Sequence, residues 1–299
     1  MKPAPFTYHA PSSVSEAVQL LADLPNAKVL AGGQSLVPVL NMRLAAPEHL
    51  VDINRITDLA QTTVGKDAVT VGALVRHADL ERDEAAHAAL PLLRQALQWV
   101  AHPAIRNRGT TVGSIVHADP SGEMPAILAL TGGSVHAVSS RGERDISAEE
   151  FFVGAMESSL ELDELVTSAT FPLFEPGTVT GYDELARRSG DYALAGVAVA
   201  LTCTDGVVST VKASFVSVTD VPNVLDLTEL VQGREPAQIG GDDLAKVAEA
   251  VREHVDPVDD IHASGEYRAH LSGTISRRVL ARLLASTTQP EPATTGSRQ

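Results

Sequence analysis

Residues 28–36 read Lys28-Val29-Leu30-Ala31-Gly32-Gly33-Gln34-Ser35-Leu36, an apolar run that ends in two glycines and a hydroxyl before a helix-like segment begins. Adjacent glycines permit positive φ and remove the Cβ atoms that hold a ligand off the main chain, so successive N–H groups can converge on an anion. A helix starting near Ser35 would add unpaired N–H groups and its dipole. A tight strand-to-helix turn with no ligand accounts for the same residues, because sharp turns also need glycine. The stretch lacks G-x-G-x-x-G spacing and no Gly-Lys-Ser/Thr follows, which argues against nicotinamide and P-loop sites.

Outward from this stretch, Ser13-x-x-Glu16 forms a capping-box pattern, with Val14, Ala17, Val18 and Leu21 at helical spacing. An amphipathic helix should therefore precede the strand at 28–31. Residues 50–53 read as a second short strand, making 1–57 a small β/α lobe. Residues 69–71, ending at Gly72, predict a third strand. Pro91 opens a helix carrying Leu93, Ala96, Leu97 and Val100 that stops near Pro103. The following segment, Arg106-Asn107-Arg108-Gly109-Thr110-Thr111-Val112-Gly113-Ser114-Ile115-Val116-His117-Ala118-Asp119-Pro120-Ser121-Gly122-Glu123-Met124, is polar and glycine-bearing on both sides of a short apolar centre. Its arginines suit phosphates, and Asp119 and Glu123 suit ribose hydroxyls. An ordinary polar loop with solvated ion pairs, worth roughly 0 to 1 kcal/mol each, fits equally well.

A composition shift at Pro172-Leu173-Phe174-Glu175-Pro176-Gly177 marks a boundary and closes a second lobe at 58–176. Beyond it, 195–204 and 207–219 are β-rich runs joined by the hairpin signal Thr204-Asp205-Gly206. Helical patterns follow at 242–255, with Leu244, Val247, Ala248 and Val251 on one face, and at 264–286. Strands followed by helices predict an α+β module at 177–286. Residues 287–299 are polar and proline-bearing, and disorder is expected there.

The 299 residues carry 23 Lys+Arg against 38 Asp+Glu, a formal charge of -15 that argues against nucleic-acid and anionic-membrane partners. Hydrophobic residues at 44% and charged ones at 20% fit a globular chain large enough for two or three modules. The lone Cys203 excludes an internal disulfide, a cysteine zinc site and an iron–sulfur cluster held by this chain alone, and it points to a reducing compartment. Its position in the apolar run 197–204 predicts a buried, inert thiol. The 10 histidines show no metal-ligand spacing, and no metal is expected. The start lacks a signal-type apolar region, and no apolar run reaches the about 18 residues of a membrane span, so a cytoplasmic chain is expected.

Four motifs occur in order: Ala31-Gly32-Gly33-Gln34-Ser35-Leu36, Arg106-Asn107-Arg108-Gly109-Thr110, His117-Ala118-Asp119-Pro120, and Arg187-Arg188-Ser189-Gly190-Asp191-Tyr192-Ala193-Leu194. Together they resemble the FAD-binding medium subunit of molybdenum hydroxylases, the family of the flavoprotein subunits of carbon monoxide, xanthine, nicotine and caffeine dehydrogenases. The resemblance runs over residues 1–285. It implies a two-lobed FAD-binding domain of the vanillyl-alcohol-oxidase (PCMH) type at 1–176, then an α+β domain of the CO dehydrogenase flavoprotein type. By the same resemblance the backbone of Ala31, Gly32, Gly33, Gln34 and Ser35 would wrap the FAD pyrophosphate, flanked by Lys28, Val29, Leu30 and Leu36. Val100, Ala101, Gly109, Thr110, Gly113, Ser114, His117, Asp119 and Glu123 would line the nucleotide. Val166 would pack near the cofactor, and Tyr192 would lie close to the isoalloxazine.

Two departures stand out. Relatives commonly read Thr-Ile-Gly-Gly where this chain has Thr110-Thr111-Val112-Gly113. A β-branched residue resists positive φ, so a turn requiring one at Val112 would be remodelled or weakened. Gln34 replaces the histidine of carbon monoxide dehydrogenase relatives, which points to the nicotine or caffeine branch with organic substrates.

The role implied by the resemblance is electron collection, with no catalytic residue assigned on this chain. A large molybdopterin subunit would oxidise the substrate, and a small subunit with two 2Fe-2S clusters would relay electrons. FAD would pass them to an external acceptor. The resemblance also implies a dimer of heterotrimers. Arg187, Arg188 and Asp191 stand between interface charges and solvated pairs, and Tyr192 between a flavin shield and a half-buried core tyrosine. Two other readings stay open. A self-contained flavin oxidase or reductase would need an acid or base over the flavin, and none stands out; a binding or assembly module would use the glycine loops only as turns.

Overall fold

A computed structural model of the chain describes residues 1–288. Ser13 starts the first helix, Val14–Asp23, its Oγ accepting from the Glu16 N–H at 3.1 Å. The Glu16 carboxylate reaches back to the Ser12 N–H at 2.8 Å, so the reciprocal half of the cap falls one residue early. Ala17, Val18 and Leu21 are buried from this helix. It packs on a 3-stranded parallel sheet with His49–Asp52 between Thr7–His9 and Ala27–Leu30. Both neighbours run parallel to the central strand, so the first glycine stretch and Asp52 leave the sheet at the same end.

The second lobe is built on a 5-stranded antiparallel sheet, ordered Thr62–Val64, Ala68–Gly72, Leu165–Pro172, Ser134–Ser139, Gly142–Ser147. Pro91 occupies the first turn of helix Pro91–Leu97. This helix ends before Val100, earlier than its apolar spacing suggests. The residue before a proline is driven out of the helical region, and His102, preceding Pro103, is extended. A fresh helix, Pro103–Arg106, starts there, and Ala101 between the two adopts a φ of 43°. The expected polar loop at 106–124 is mostly helical instead, as Thr111–His117 and the start of Glu123–Leu130.

The third unit is a 4-stranded antiparallel sheet ordered Thr178–Ala186, Ala193–Thr204, Val207–Val216, Val224–Asp226. The hairpin at Asp205 and Gly206 has φ of 54° and 81°, the left-handed pair a two-residue turn requires. Strand Ala193–Thr204 reads as a continuous apolar run because both of its faces are covered. Val197, Val199 and Leu201 enter the core shared with helices Gly241–His254 and Gly265–Thr287, whereas Ala198 and Ala200 enter the core of the preceding lobes. Small residues on that second face let helix Glu123–Leu130 approach the sheet, where Ser214 Oγ donates to the Ala126 carbonyl at 2.8 Å. Cys203 is half-buried rather than buried, since it lies near the outer end of the strand; burial still pushes its thiol pKa up. The expected disordered tail lies outside the described residues from 289 onward, and Thr287 closes the last helix. Among the described residues no helix is long and apolar enough to cross a membrane, and no group of side chains has the arrangement of a metal site.

Candidate functional site

Gly32 and Gly33 follow strand Ala27–Leu30 after Ala31, and helix Leu36–Asn41 begins four residues after Gly32. Gly33 has a φ of 73°, which swings the chain from strand into helix. Ser35 stands at the helix start without making a side-chain cap. Among the described residues, none of the backbone N–H groups from Gly32 to Leu36 donates to a protein acceptor. The first hydrogen bonds of this turn come from Val37 to Gly33 and from Val39 to Ser35. Residues 31–36 are all partly accessible.

The second glycine segment lies directly against the first. A Cβ on Gly32 would sit 2.6 Å from the Arg108 carbonyl oxygen, 2.8 Å from Gly109 Cα and 2.9 Å from the Thr110 nitrogen. The two main chains touch because Gly32 has no side chain. Thr110 caps helix Thr111–His117 through its Oγ1, which accepts from the Gly113 N–H at 3.2 Å. A Cβ on Gly113 would collide with that hydroxyl. Val112 is helical and 1% exposed, so no positive φ is demanded of it. Valine fills core space beneath the cap.

Three side chains that sequence reading passed over hold the loops together. Asn54 Nδ2 donates to the Ala31 carbonyl at 2.8 Å and to Asp52 Oδ1 at 2.6 Å. Arg76 donates through Nη2 to Asn54 Oδ1 at 2.6 Å and through Nη1 to the Arg108 carbonyl at 2.8 Å. Asp52, Asn54 and Arg76 thus clamp one loop to the other. A signal for the first two was present: Asp52-x-Asn54 leaves the end of a parallel strand, where ligands of such sheets gather. Beneath the clamp, buried His77 pairs its Nδ1 with Thr111 Oγ1 at 3.1 Å. Burial, then the nearby Arg106 charge, lowers its pKa to about 4, so it is neutral at pH 7.

Arg106 serves neither as a phosphate cation nor as a solvated pair. Its side chain is 12% exposed, paired to Glu81 at 2.9 Å, and it donates to the carbonyls of Val100 and Ala101 at 2.9 and 3.0 Å. It fixes the left-handed turn at Ala101. Asp119 is buried and accepts from the Ser121 N–H at 2.9 Å, forming a turn. Glu123 stands at the first turn of its helix, and desolvation followed by the Glu184 charge pushes its pKa up to about 8. Glu184 itself, 5% exposed, accepts from the Tyr182 hydroxyl at 2.7 Å. Burial pushes it up to about 7. This inter-lobe carboxyl pair was invisible in the linear sequence.

Residues 4–174 match the FAD binding domain in molybdopterin dehydrogenase, and 180–283 match the CO dehydrogenase flavoprotein C-terminal domain. The chain belongs to the FAD-binding medium subunits of the molybdenum hydroxylases. Among its relatives is the 6-hydroxypseudooxynicotine dehydrogenase complex subunit alpha of Paenarthrobacter nicotinovorans, 38% identical over 95% of this chain and 96% of that one. The nicotine 6-hydroxylase medium subunit of the same organism is 37% identical over 96% and 100%. Two solved structures superpose closely. Quinoline 2-oxidoreductase from Pseudomonas putida 86 gives a TM-score of 0.90 at 34% identity, covering 97% of this chain and 100% of that one. Carbon monoxide dehydrogenase from Hydrogenophaga pseudoflava, lacking the Mo-pyranopterin moiety of its molybdenum cofactor, gives 0.89 at 34% identity, covering 96% and 99%.

As a medium subunit, this chain carries its FAD-binding domain in the lobes that hold both glycine loops. Lys28 is exposed on strand Ala27–Leu30, while Val29 and Leu30 are half-buried beside the loop. Gln34 Nε2 donates to the Gly32 carbonyl at 3.3 Å. Gly109 is buried; Ser114 and His117 are half-buried on helix Thr111–His117. Val166 is buried in strand Leu165–Pro172, which packs on that helix. Tyr192 is no core residue: it is 66% exposed, and its pKa is pushed up to about 12 by desolvation and by adjacent Asp119.

Proposed function

We propose that this medium subunit holds FAD across its two glycine loops and serves as the electron exit of a molybdenum hydroxylase complex. The observation that carries the reading is the row of unpaired N–H groups from Gly32 to Leu36, closed on one side by the backbone of residues 108–110. Such a row, with the start of helix Leu36–Asn41, is suited to a pyrophosphate. Ala31, Gly32, Gly33, Gln34 and Ser35 would take the pyrophosphate, with Lys28, Val29, Leu30 and Leu36 at its edges. Val100, Ala101, Gly109, Thr110, Gly113, Ser114, His117, Asp119 and Glu123 would line the nucleotide, Val166 would support it from the sheet, and Tyr192 would cover the isoalloxazine.

Bound FAD exchanges single electrons with iron–sulfur clusters and pairs with a final acceptor. This chain's residues would position the ring and exclude water, with no acid, base or nucleophile required of them. A large molybdopterin subunit would oxidise the substrate, and a small subunit bearing two 2Fe-2S clusters would deliver the electrons. We take the assembly as a cytoplasmic dimer of heterotrimers, with FAD-binding lobes at 1–57 and 58–176 and the C-terminal domain at 177–286. Gln34 and the likeness to the 6-hydroxypseudooxynicotine dehydrogenase and nicotine 6-hydroxylase subunits favour an organic substrate.

An absorption spectrum of the purified chain, with heat release and identification of the chromophore, tests the cofactor. Released FAD with little turnover by the chain alone supports the reading, and co-purification with two partner subunits supports the complex. A chain that stays colourless after incubation with FAD refutes it.

A further inference from the structure

We propose that Arg268 and Asp260 are positioning residues that brace the 187–192 loop and so fix Tyr192 at the flavin site. The inference rests on the reading that Tyr192 covers the isoalloxazine.

The loop leaves strand Thr178–Ala186 and returns into Ala193–Thr204. Its internal support is slight, one backbone bond from the Asp191 N–H to the Arg188 carbonyl at 3.2 Å. Arg187, Arg188, Ser189, Asp191 and Tyr192 are all exposed. A segment so sparsely tied opens readily unless it is held from outside. One tie is steric: Gly190, with a φ of 84°, lies flat against the ring of His102, next to the Ala101 turn.

Asp119 stands next to Tyr192 itself. Further ties come from the start of the last helix and the segment before it. Buried Arg268 sends Nη1 to the Leu194 carbonyl and Nη2 to Asp260 Oδ2, both at 2.7 Å. The other oxygen of Asp260 accepts from the N–H groups of His262 at 2.7 Å and Ala263 at 2.9 Å. His262 then accepts through Nδ1 from Arg187 Nη1 at 2.5 Å. A continuous chain of hydrogen bonds therefore runs from Leu194, just after the loop, through Arg268, Asp260 and His262 to Arg187 at its start. The 256–264 segment is itself pinned, by the Asp256 N–H on the Val218 carbonyl at 3.1 Å and by Asp259 Oδ1 on the Gly265 N–H at 2.6 Å.

An apolar side chain in place of Arg268 would fill the same space without desolvating a guanidinium, whose Nε is left unpaired. What the guanidinium adds is direction: two planar donors aimed at fixed acceptors, one just after the loop and one on the 256–264 segment that reaches Arg187. Asp260, held well below the usual carboxylate range by those two backbone N–H groups and by Arg268, stays charged for the pair.

The test uses the full FAD-loaded chain with two readouts, the visible circular dichroism of bound FAD and the rate of tryptic cleavage after Arg187 and Arg188. Arg268→Met and Asp260→Asn should keep FAD bound, raise loop cleavage about tenfold, as loss of a charge-assisted bond implies, and shift the dichroism toward that of Tyr192→Ala. Arg268→Lys should recover part of both effects, and Arg268→Met combined with Tyr192→Ala should match Tyr192→Ala in dichroism. Should Arg268→Met fail to accumulate, Asp260→Asn at the surface carries the same test. If Tyr192→Ala alters the dichroism while both brace variants leave it and the cleavage rate unchanged, the brace is overturned and the flavin reading stands. If Tyr192→Ala leaves the dichroism of bound FAD unchanged, the placement of Tyr192 falls and takes the brace's purpose with it.

Discussion

Gly32→Ala is the sharpest test of how the two loops meet. The backbone φ of Gly32 is one that alanine adopts without strain, so the perturbation is purely steric. The added methyl carbon would stand 2.6 Å from the Arg108 carbonyl oxygen, with Gly109 Cα and the Thr110 nitrogen also inside 3.0 Å. Restoring ordinary contact means moving the second loop by about 0.8 Å, and every obstructing atom is backbone. Arg76 and Asn54 resist the shift, because they fix both loops to one another. Overpacking of this kind costs about 1 to 3 kcal/mol, which becomes roughly 5- to 150-fold in Kd if it falls on the bound state. Fluorescence titration of the apo chain with FAD, beside a thermal unfolding curve, separates affinity from stability. Wild-type affinity together with wild-type Tm would refute the backbone contact between the loops.

Arg76→Met should weaken FAD binding by about tenfold through loss of its charged hydrogen bonds, and Arg76→Lys should not restore it, since one ammonium does not span both acceptors; the same titration decides. Val112→Gly, which supplies the glycine expected from the family resemblance, should lower stability by about 2 to 3 kcal/mol in urea unfolding and leave FAD affinity unchanged, because Val112 is a core residue of a helix. In pH-dependent unfolding, Glu123 and Glu184 have folded pKa values of about 8 and about 7, raised from 4.5 chiefly by burial, so they favour the folded state while protonated and stability falls as pH rises toward 8. His77, depressed from 6.5 to about 4, works in the opposite sense only below 6.5. Between pH 6.5 and 8 the carboxyls therefore dominate these three, and Glu184→Gln should flatten that slope; an unchanged slope would remove Glu184 from the account.

Local chemistry made much of this architecture readable in advance. Ser13, Pro91 and the Asp205-Gly206 turn each act within a few residues, and each does in the structure what its side chain or backbone freedom requires. The Gly32-Gly33 stretch was legible for the same reason. Arg76 was not, because its partners at Asn54 and Arg108 lie 22 and 32 residues away and only the fold brings them together. Arg106 misled in the other direction: an arginine beside a glycine loop suggests a phosphate, yet the turn at Ala101 presents two carbonyls that take up its donors first. Val112 looked like a damaged turn because a linear motif does not say whether its middle is loop or helix. Glu123 and Glu184 belong to different domains, and the charge of Glu184 acts on Glu123 only where strand Thr178–Ala186 meets the earlier lobes.

The proposed pyrophosphate cradle draws its donors from the backbone, with Lys28 only at its edge. Its donors are the peptide N–H groups of Gly32 to Leu36, and an amide keeps its proton at any pH the fold survives. A cradle made from lysine or histidine would weaken as those groups lost charge, and a single substitution could erase it. In the proposed cradle the chemistry resides in a bond that every residue shares, so substitutions at Gln34, Ser35 and Leu36 would leave the grip in place. The loop's shape, guarded by Gly32 and by the clamp around it, is what inheritance must preserve.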